Sequence, residues 1–506
     1  MTGGEIMKSF VDYKSKNIGI VTEVRFPLVK VKGLKNAFLN EVVVFEHNRL
    51  GQIYSLEDST ADVLVFYKGL LQTGSKGVLT GEKLSLPVGR QMLGQLIDPL
   101  GNPLDKDRIK REIGEVGGIG RKVERYPLEV KPLGIGKRAR IKKSLHTGIS
   151  MVDFLVPLGC GQRELILGDR KTGKSALLRS IAKAQLTCND NPPVVIYAAV
   201  GKRQSEIKAL EEFFEKEGLL KNMVMVATSS FDSPGLIHLT PFAAMSLAEY
   251  FRDNGKDTLV LLDDLSTHAR FYREIALLAR RFPGRDSYPG DIFYTHARLL
   301  ERAGNFKTDR GDEISITCLP LAETLEGDLT GYITTNLMGV TDGHIFFDSN
   351  IFYKGRRPAI NAPLSVTRVG KQTQGKLQKS ISRIVNDFLI KYETAQNISH
   401  FGAELTDETK QILIMGEKIT EFFDQSYNLI LPQDAETALF ALIWQRLIGD
   451  DPRFPISVCR LNLVKNYTHL HVQGLLAQLS KVEDMDKLLA NVLKKKEELI
   501  KLCQTD

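Results

Sequence analysis

Eight consecutive residues form the chemical motif with the most specific spacing in the chain. They follow the pattern G-x-x-x-x-G-K-S, directly after the apolar segment ELIL and at the start of a helical pattern, SALLRSIAKAQL. In this context backbone amides point at phosphate oxygens, the lysine contacts the β- and γ-phosphates, and the serine hydroxyl ligates Mg²⁺. The pattern predicts a nucleotide site formed by Gly168, Asp169, Arg170, Lys171, Thr172, Gly173, Lys174 and Ser175.

A Mg²⁺ ion in such a site needs a second anchor, an acidic residue at the carboxyl end of a neighbouring buried strand. Asp263 and Asp264 directly follow an apolar run. We expect Asp263 to hold the metal through water, together with the direct ligand Ser175, whereas Asp264 is also placed to cap the next helix. The predicted ligands are therefore ATP or ADP and Mg²⁺.

Length and composition limit the scaffold that positions these residues. The chain has 506 residues, of which 42% are hydrophobic and 25% are charged, as in a globular protein of about three domains. No apolar stretch reaches the roughly 18 residues of a membrane-spanning helix, so direct membrane insertion is not expected. Five scattered cysteines indicate reduced thiols in a cytoplasmic setting, and the net charge of +7 fits phosphates or an acidic partner.

The hydrophobic periodicity changes twice along the chain. After a short N-terminal segment, 1–17, alternating runs with frequent turns in 18–90 predict a small antiparallel β-barrel. Continuous apolar runs between amphipathic helices in 91–372 predict a parallel α/β domain that carries the P-loop. Apolar residues at three-to-four spacing in 373–506 predict a C-terminal α-helical bundle.

Several segments together resemble the α subunits of the F-type ATP synthase head. They are LVPLGCGQRELILGDRKTGKS, LLDDLSTHARFYREIALLARRFPGRDSYPGDIFYTHARLLERAGNF, AETLEGDLTGYITTN, TDGHIFFD and YKGRRPAINAPLSVTRVG. The resemblance implies a RecA-like nucleotide domain and a ring in which three such chains alternate with three catalytic β-type subunits around a γ-type stalk. It also implies attachment to the inner face of the cell membrane through partner subunits.

Position 202 departs from the family pattern. The resemblance implies that a glutamate orients the attacking water here in β subunits, whereas α subunits usually carry glutamine and this chain has Lys202. A protonated lysine cannot act as the base, and losing a general base typically costs about 10²–10⁴ in rate. We therefore expect nucleotide binding with poor hydrolysis. Lys171 also replaces a usual glutamine, so Lys171 and Lys202 either join Lys174 near the polyphosphate or extend into solvent.

Two further groups of residues take their roles from the resemblance. Arg368 matches the arginine finger that stabilises charge on the γ-phosphate in a neighbouring subunit's site, with an internal salt bridge as the alternative. The residues that match the adenine pocket are Phe352, Arg357, Pro358 and Gln425. Tyr427 stands where a second glutamine is expected, and it either stacks on the base or belongs to the core.

Departures from the family leave the physiological role open. Only about sixteen residues precede the barrel, so contact with a stator of the usual kind is doubtful, and Thr334 replaces a usual proline. These features make a paralogue that serves motility or another membrane task the alternative to proton-driven ATP synthesis.

The sequence also allows two hypotheses of other classes. A hexameric RNA translocase would need base-stacking aromatics and basic loops facing a pore. The segment 281–290 instead resembles the family's bearing loop around the stalk, so no nucleic-acid partner is expected. A structural ring spacer without nucleotide exchange also stays open, because intact Lys174, Ser175 and Asp263 are compatible with permanent occupancy.

Overall fold

The computed structural model describes most of the chain, and the described residues divide into two compact units. The description covers residue 10 and residues 18–67, 69, 71–104, 124–189, 191–400, 406–449 and 454–504. Apart from Phe10, the predicted N-terminal segment lies outside these residues. The first unit comprises the described parts of Met1–Ala139, Pro193–Glu323 and Leu329–Thr341, and the second those of Arg140–Pro192, Thr324–Asp328 and Asp342–Asp506. None of the helices that the description covers is long and apolar enough to cross a membrane.

The strands are, in chain order, β1 Ile18–Arg25, β2 Leu28–Lys32, β3 Glu41–Phe45, β4 Arg49–Leu56, β5 Thr60–Val65, β6 Lys76–Lys83, β7 Ser85–Val88, β8 Leu96–Ile97, β9 Glu124–Pro127, β10 Arg138–Ala139, β11 Ser144–Leu145, β12 Leu158–Gly159, β13 Glu164–Gly168, β14 Val194–Lys202, β15 Met223–Ser229, β16 Thr258–Asp263, β17 Gly304–Lys307, β18 Glu313–Glu323, β19 Gly343–Phe347 and β20 Val366–Thr367.

The α-helices are α1 Ser150–Leu155, α2 Lys174–Thr187, α3 Gln204–Lys216, α4 Pro234–Asp253, α5 Leu265–Leu278, α6 Ile292–Leu300, α7 Tyr332–Val340, α8 Ser349–Tyr353, α9 Gly370–Thr373, α10 Lys376–His400, α11 Asp407–Phe423, α12 Gln433–Trp444, α13 Ile456–Asn466, α14 Leu470–Ser480, α15 Met485–Lys494 and α16 Lys496–Cys503.

The first six strands close into a barrel with the neighbour order β1-β2-β5-β4-β3-β6. Alternate residues face its interior, as in β1, where Gly19 and Val21 are buried while Ile18 and Ile20 are exposed. β-Branched and aromatic side chains fill the inside: Val21, Val29, Val31, Val43, Phe45, Ile53, Val63 and Val65. The predicted N-terminal β-barrel is confirmed.

The remainder of the first unit contains a parallel sheet with the order β8-β15-β14-β16-β18. Every residue of β15 and β16 is buried, as expected for strands covered on both faces. The long helix α4 packs against β14, β15 and β16. Asp263 is the last residue of β16, so the acidic pair lies at the carboxyl end of a central strand.

In the second unit, β13 runs parallel to β19, with Glu164 opposite Gly343 and Gly168 opposite Phe347. Strand β20 pairs antiparallel with β19. No strand follows β20 in the described residues, and the helices from α10 onward pack mainly through the pairs α10–α11, α12–α14 and α13–α16. Phe154 in α1 contacts the rings of Phe422 and Phe440 in this helical region. The predicted α-helical C-terminal region is confirmed.

Candidate functional site

The P-loop connects β13 to α2, as the sequence predicts, and two glycines fix its course. Gly168 has φ +147°, and a Cβ there would lie 2.5 Å from the carbonyl oxygen of Phe347. Gly173 has φ +102° and forms the N-cap of α2. Both positions require a residue without a Cβ. The last residues of the loop therefore lie at the N-terminus of a fourteen-residue helix, where free amides and the helix dipole favour an anion.

Asp169 holds the loop in place from within the second unit. Its carboxylate accepts hydrogen bonds from the Thr324 hydroxyl at 2.7 Å, the Gly327 amide at 2.9 Å and the Ser349 hydroxyl at 2.7 Å. Burial raises the pKa of Asp169, but these hydrogen bonds outweigh it, so the net pKa lies below its usual value. The sequence pattern places Asp169 in the loop but does not reveal these three partners.

The other loop side chains differ in exposure. Lys174 is buried, and its ammonium donates to the carbonyl oxygen of Asp169, which also accepts from the Thr172 hydroxyl at 2.8 Å. Arg170 and Lys171 are exposed, whereas Ser175 is half-buried in the first turn of α2. The lysine and serine of the motif thus lie together at the helix start.

A cavity of about 150 Å³ adjoins the P-loop within the second unit. It brings together all four residues assigned to the adenine pocket, with Tyr427, next to the first turns of α2. Its lining includes Ile149, Thr172, Gly173, Ala176, Leu177, Phe352, Arg357, Pro358, Gln425 and Tyr427. The resemblance alone indicated the four adenine-pocket residues and Tyr427, whereas neither periodicity nor spacing indicated that Ile149, Ala176 and Leu177 would line the same cavity.

Two members of the cavity wall have clear structural partners. The Arg357 guanidinium carbon lies 3.6 Å from the centre of the Phe352 ring, a cation–π contact. The Gln425 amide group donates to the carbonyl oxygens of Gly148 and Leu429 and accepts from the Ser150 amide. Because both donors of Gln425 are used by the backbone, this side chain supports the wall rather than offering an N–H to a ligand.

Asp263 has a cationic partner that the sequence does not reveal. The Lys202 ammonium lies 2.6 Å from Asp263 Oδ1, and the Tyr197 hydroxyl donates to Oδ2 at 2.8 Å. Burial lowers the pKa of Lys202, but Asp263 and Asp264 outweigh it and raise the net pKa above its usual value. Lys202 is therefore a stable cation. Asp264 caps α5 by accepting from the Thr267 amide at 2.5 Å.

Arg368 directly follows β20 and is exposed. Its backbone amide donates to the carbonyl oxygen of Asp342, but no residue in the described chain forms an ion pair with its guanidinium. By contrast, Arg163 in the same unit is held by Asp342 at 2.7 Å. The internal salt bridge considered as the alternative role for Arg368 is thus not found in the described residues.

The chain combines a β-barrel, a P-loop between β13 and α2, and a helical C-terminal region. This combination defines a P-loop nucleotide-binding protein with three kinds of architecture in one chain. Residues 148–367 match the family model described as "ATP synthase alpha/beta family, nucleotide-binding domain", and residues 374–499 match "ATP synthase alpha/beta chain, C terminal domain". The chain belongs to the ATP synthase alpha/beta family, and its relatives place it with the alpha subunits of the F-type enzyme.

Three of these relatives, all named ATP synthase subunit alpha, illustrate the similarity. The protein of Neorickettsia sennetsu is 38% identical over 90% of this chain and 89% of its own length. That of Clostridium acetobutylicum is 35% identical over 97% of this chain and 95% of its own length. That of Acholeplasma laidlawii is 37% identical over 88% of each chain.

Proposed function

We propose that this chain is the regulatory, non-catalytic nucleotide-binding subunit of a rotary ATPase head, and that it supplies Arg368 to the site of a neighbouring subunit. The P-loop residues 168–175 bind the phosphates of ATP or ADP, with Ser175 as the ligand for Mg²⁺. The cavity lined by Phe352, Arg357 and Pro358 receives the base, with Gln425 supporting its wall. Asp263 as an outer ligand of Mg²⁺ stays a prediction.

The observation that carries the non-catalytic role is the position of Lys202. Where a catalytic subunit of this kind needs a carboxylate to orient water, this chain carries an ammonium ion bonded to Asp263 at 2.6 Å. A cation in this state neither accepts a proton nor polarises water as a base does. The chain accordingly retains nucleotide without turning it over.

The exposed Arg368 supports catalysis in a neighbouring subunit. Among the described residues no ion pair is formed by the exposed Arg368 guanidinium, so it is available to an anion on another subunit, and its fixed charge suits a γ-phosphate in the transition state. The partners proposed are a β-type catalytic subunit in an alternating ring and a γ-type central stalk. The ring is attached to the inner face of the cell membrane through other subunits.

The proposal is tested by comparing the isolated chain with its assembly. The purified chain should bind ATP and show turnover slower than the assembled complex by about 10²-fold or more, as expected for a site without a general base. Brisk turnover by the chain alone would contradict the proposal. Subunit identification in the purified native complex serves as the second readout, because β- and γ-type companions are expected there.

A further inference from the structure

The cavity beside the P-loop is the space that the proposed function assigns to the base of the nucleotide. Thr172 and Gly173 of the loop form one part of its wall, and Ala176 and Leu177 of α2 form the next. All of the residues that line it belong to the second compact unit. The hydrogen-bonding groups of this wall therefore determine which bases the site accepts.

The amide group of Gln425 is fully engaged by the backbone. Gln425 is buried, and its two N–H groups donate to the carbonyl oxygens of Gly148 at 2.7 Å and Leu429 at 2.6 Å. Its side-chain oxygen accepts from the Ser150 amide at 3.0 Å. A primary amide has only two donor hydrogens, so Gln425 has none to offer to a base.

The two aliphatic hydroxyls of the wall are engaged in the same way. The Ser180 hydroxyl donates to the carbonyl oxygens of Ala176 at 2.9 Å and Tyr427 at 2.7 Å. The Thr172 hydroxyl donates to the carbonyl oxygen of Asp169 at 2.8 Å. Because a hydroxyl carries a single proton, neither of these side chains donates to a base while its bond to the backbone is formed.

The other two polar side chains of the wall are Arg357 and Tyr427. The Arg357 guanidinium stacks on the Phe352 ring, with 3.6 Å between the guanidinium carbon and the ring centre. A stacked guanidinium keeps its N–H groups in its own plane and binds a base through its face, which every purine presents. The Tyr427 hydroxyl both donates and accepts, so it can pair with an amino group or with a carbonyl oxygen.

These contacts bear on how the site treats carbon 6 of a purine. Adenine carries an amino group there, whereas hypoxanthine and guanine carry a carbonyl oxygen. A binding site discriminates strongly between two such groups when the wrong one leaves a buried polar group of the protein without a partner. Gln425, Ser180 and Thr172 already have backbone partners, so neither kind of purine leaves them unpaired.

We propose that the cavity binds a purine by shape and stacking without distinguishing an amino group from a carbonyl oxygen at carbon 6, so that this chain binds 6-oxopurine nucleoside triphosphates as well as it binds ATP. The inference rests on the proposed function, because it assumes that the P-loop binds the phosphates and the cavity receives the base. It adds that the ligand class is purine nucleoside triphosphates and not adenine nucleotides alone.

The test measures how ATP, ITP and inorganic tripolyphosphate displace the fluorescent analogue mant-ATP from the purified full chain in excess Mg²⁺. ITP carries hypoxanthine, which differs from adenine by the carbonyl oxygen at carbon 6 and a proton on N1. The dissociation constants of ATP and ITP should agree within about threefold. A larger difference in either direction would overturn the inference and leave the proposed function standing. Absence of nucleotide binding would overturn the proposed function itself.

Phe352→Leu tests whether the base lies in the cavity. Loss of the ring should weaken ATP and ITP by the same factor, about threefold to tenfold, and leave tripolyphosphate unchanged because it has no base. Tyr353→Leu is the matched control, because this exposed neighbouring ring is not part of the cavity wall, and it should leave all three dissociation constants unchanged.

Three outcomes in Phe352→Leu would contradict the inference, provided that the circular dichroism spectrum is intact. Unequal factors for ATP and ITP would show that the site distinguishes the two bases. An unchanged affinity for both would show that the base lies outside the cavity. An equal loss for tripolyphosphate would show that the ring does not act through the base.

Discussion

At the scale of single residues, the loop chemistry is predictable from spacing, whereas the partners of its charged groups are not. Gly168, Gly173 and Lys174 lie as the motif requires. Lys202 and Asp263 are 61 positions apart and meet only because β14 and β16 become neighbours. A lone lysine after an apolar run does not indicate which acid it will contact, so the pair could not be derived from the sequence.

Lys174 should contribute more to nucleotide binding than the other loop lysine. Its ammonium is buried at the start of α2, where a charge-assisted contact with phosphate is worth about 1.5–3 kcal/mol, whereas Lys171 is exposed. We expect Lys174→Gln to weaken ATP binding by about tenfold to hundredfold and Lys171→Gln by less. Isothermal titration calorimetry on the purified chain measures both. Equal losses in the two variants would contradict this order.

At the scale of elements, periodicity accounts for the barrel, the strand–loop–helix unit and the C-terminal helices. It does not account for side-chain contacts between elements that are far apart in the sequence. His146, just before α1, contacts Asp153 of α1 at 3.0 Å and lies 3.9 Å from Glu436 of α12. All three groups face a small cavity that also contains Ser144 and Gln433. Such a contact depends on how α12 returns to α1, which no local pattern encodes.

This group of three makes the stability of the second unit depend on pH. Burial lowers the pKa of His146, but Asp153 and Glu436 outweigh it and raise the net value from 6.5 to about 10. Burial and Asp153 raise the pKa of Glu436 from 4.5 to about 8. Both pKa values are higher in the folded chain than in the unfolded chain, so the folded chain binds protons that the unfolded chain releases. This stabilisation is complete at a pH below the unfolded pKa values, and it is lost as the pH rises through the folded pKa values of about 8 and about 10.

The expected result is a free energy of unfolding that falls from about pH 4.5, the unfolded pKa of Glu436, to about pH 10, the folded pKa of His146. Each proton involved contributes up to about 1.4 kcal/mol per pH unit. Urea unfolding followed by circular dichroism across this range measures the slope. His146→Gln should flatten it, whereas His471→Gln, at an exposed position of the same unit, should not. An equal slope in His146→Gln and the unaltered chain would show that the group of three is not responsible.

At the scale of the whole molecule, the described chain divides differently from the order of domains along the sequence. Each compact unit combines segments that are far apart, because the strands of the α/β region are contributed to both. The predicted boundaries at 90/91 and 372/373 therefore stay predictions. The sequence does predict that this chain binds nucleotide and leaves its cleavage to a neighbouring subunit, as we propose. The P-loop lysine and serine are present, whereas position 202 lacks the acid of a catalytic site.

The central claim is that this chain binds nucleotide itself, while its exposed Arg368 acts in the site of a neighbouring subunit that cleaves ATP. Its most direct test is the ATPase rate of the purified complex carrying Arg368→Ala, measured together with the nucleotide retained by this subunit. We predict that turnover falls by about 10³–10⁵ while the retained nucleotide is unchanged. Arg356→Ala, at another exposed arginine, is the control and should retain turnover. Full turnover in the Arg368→Ala complex would contradict the account.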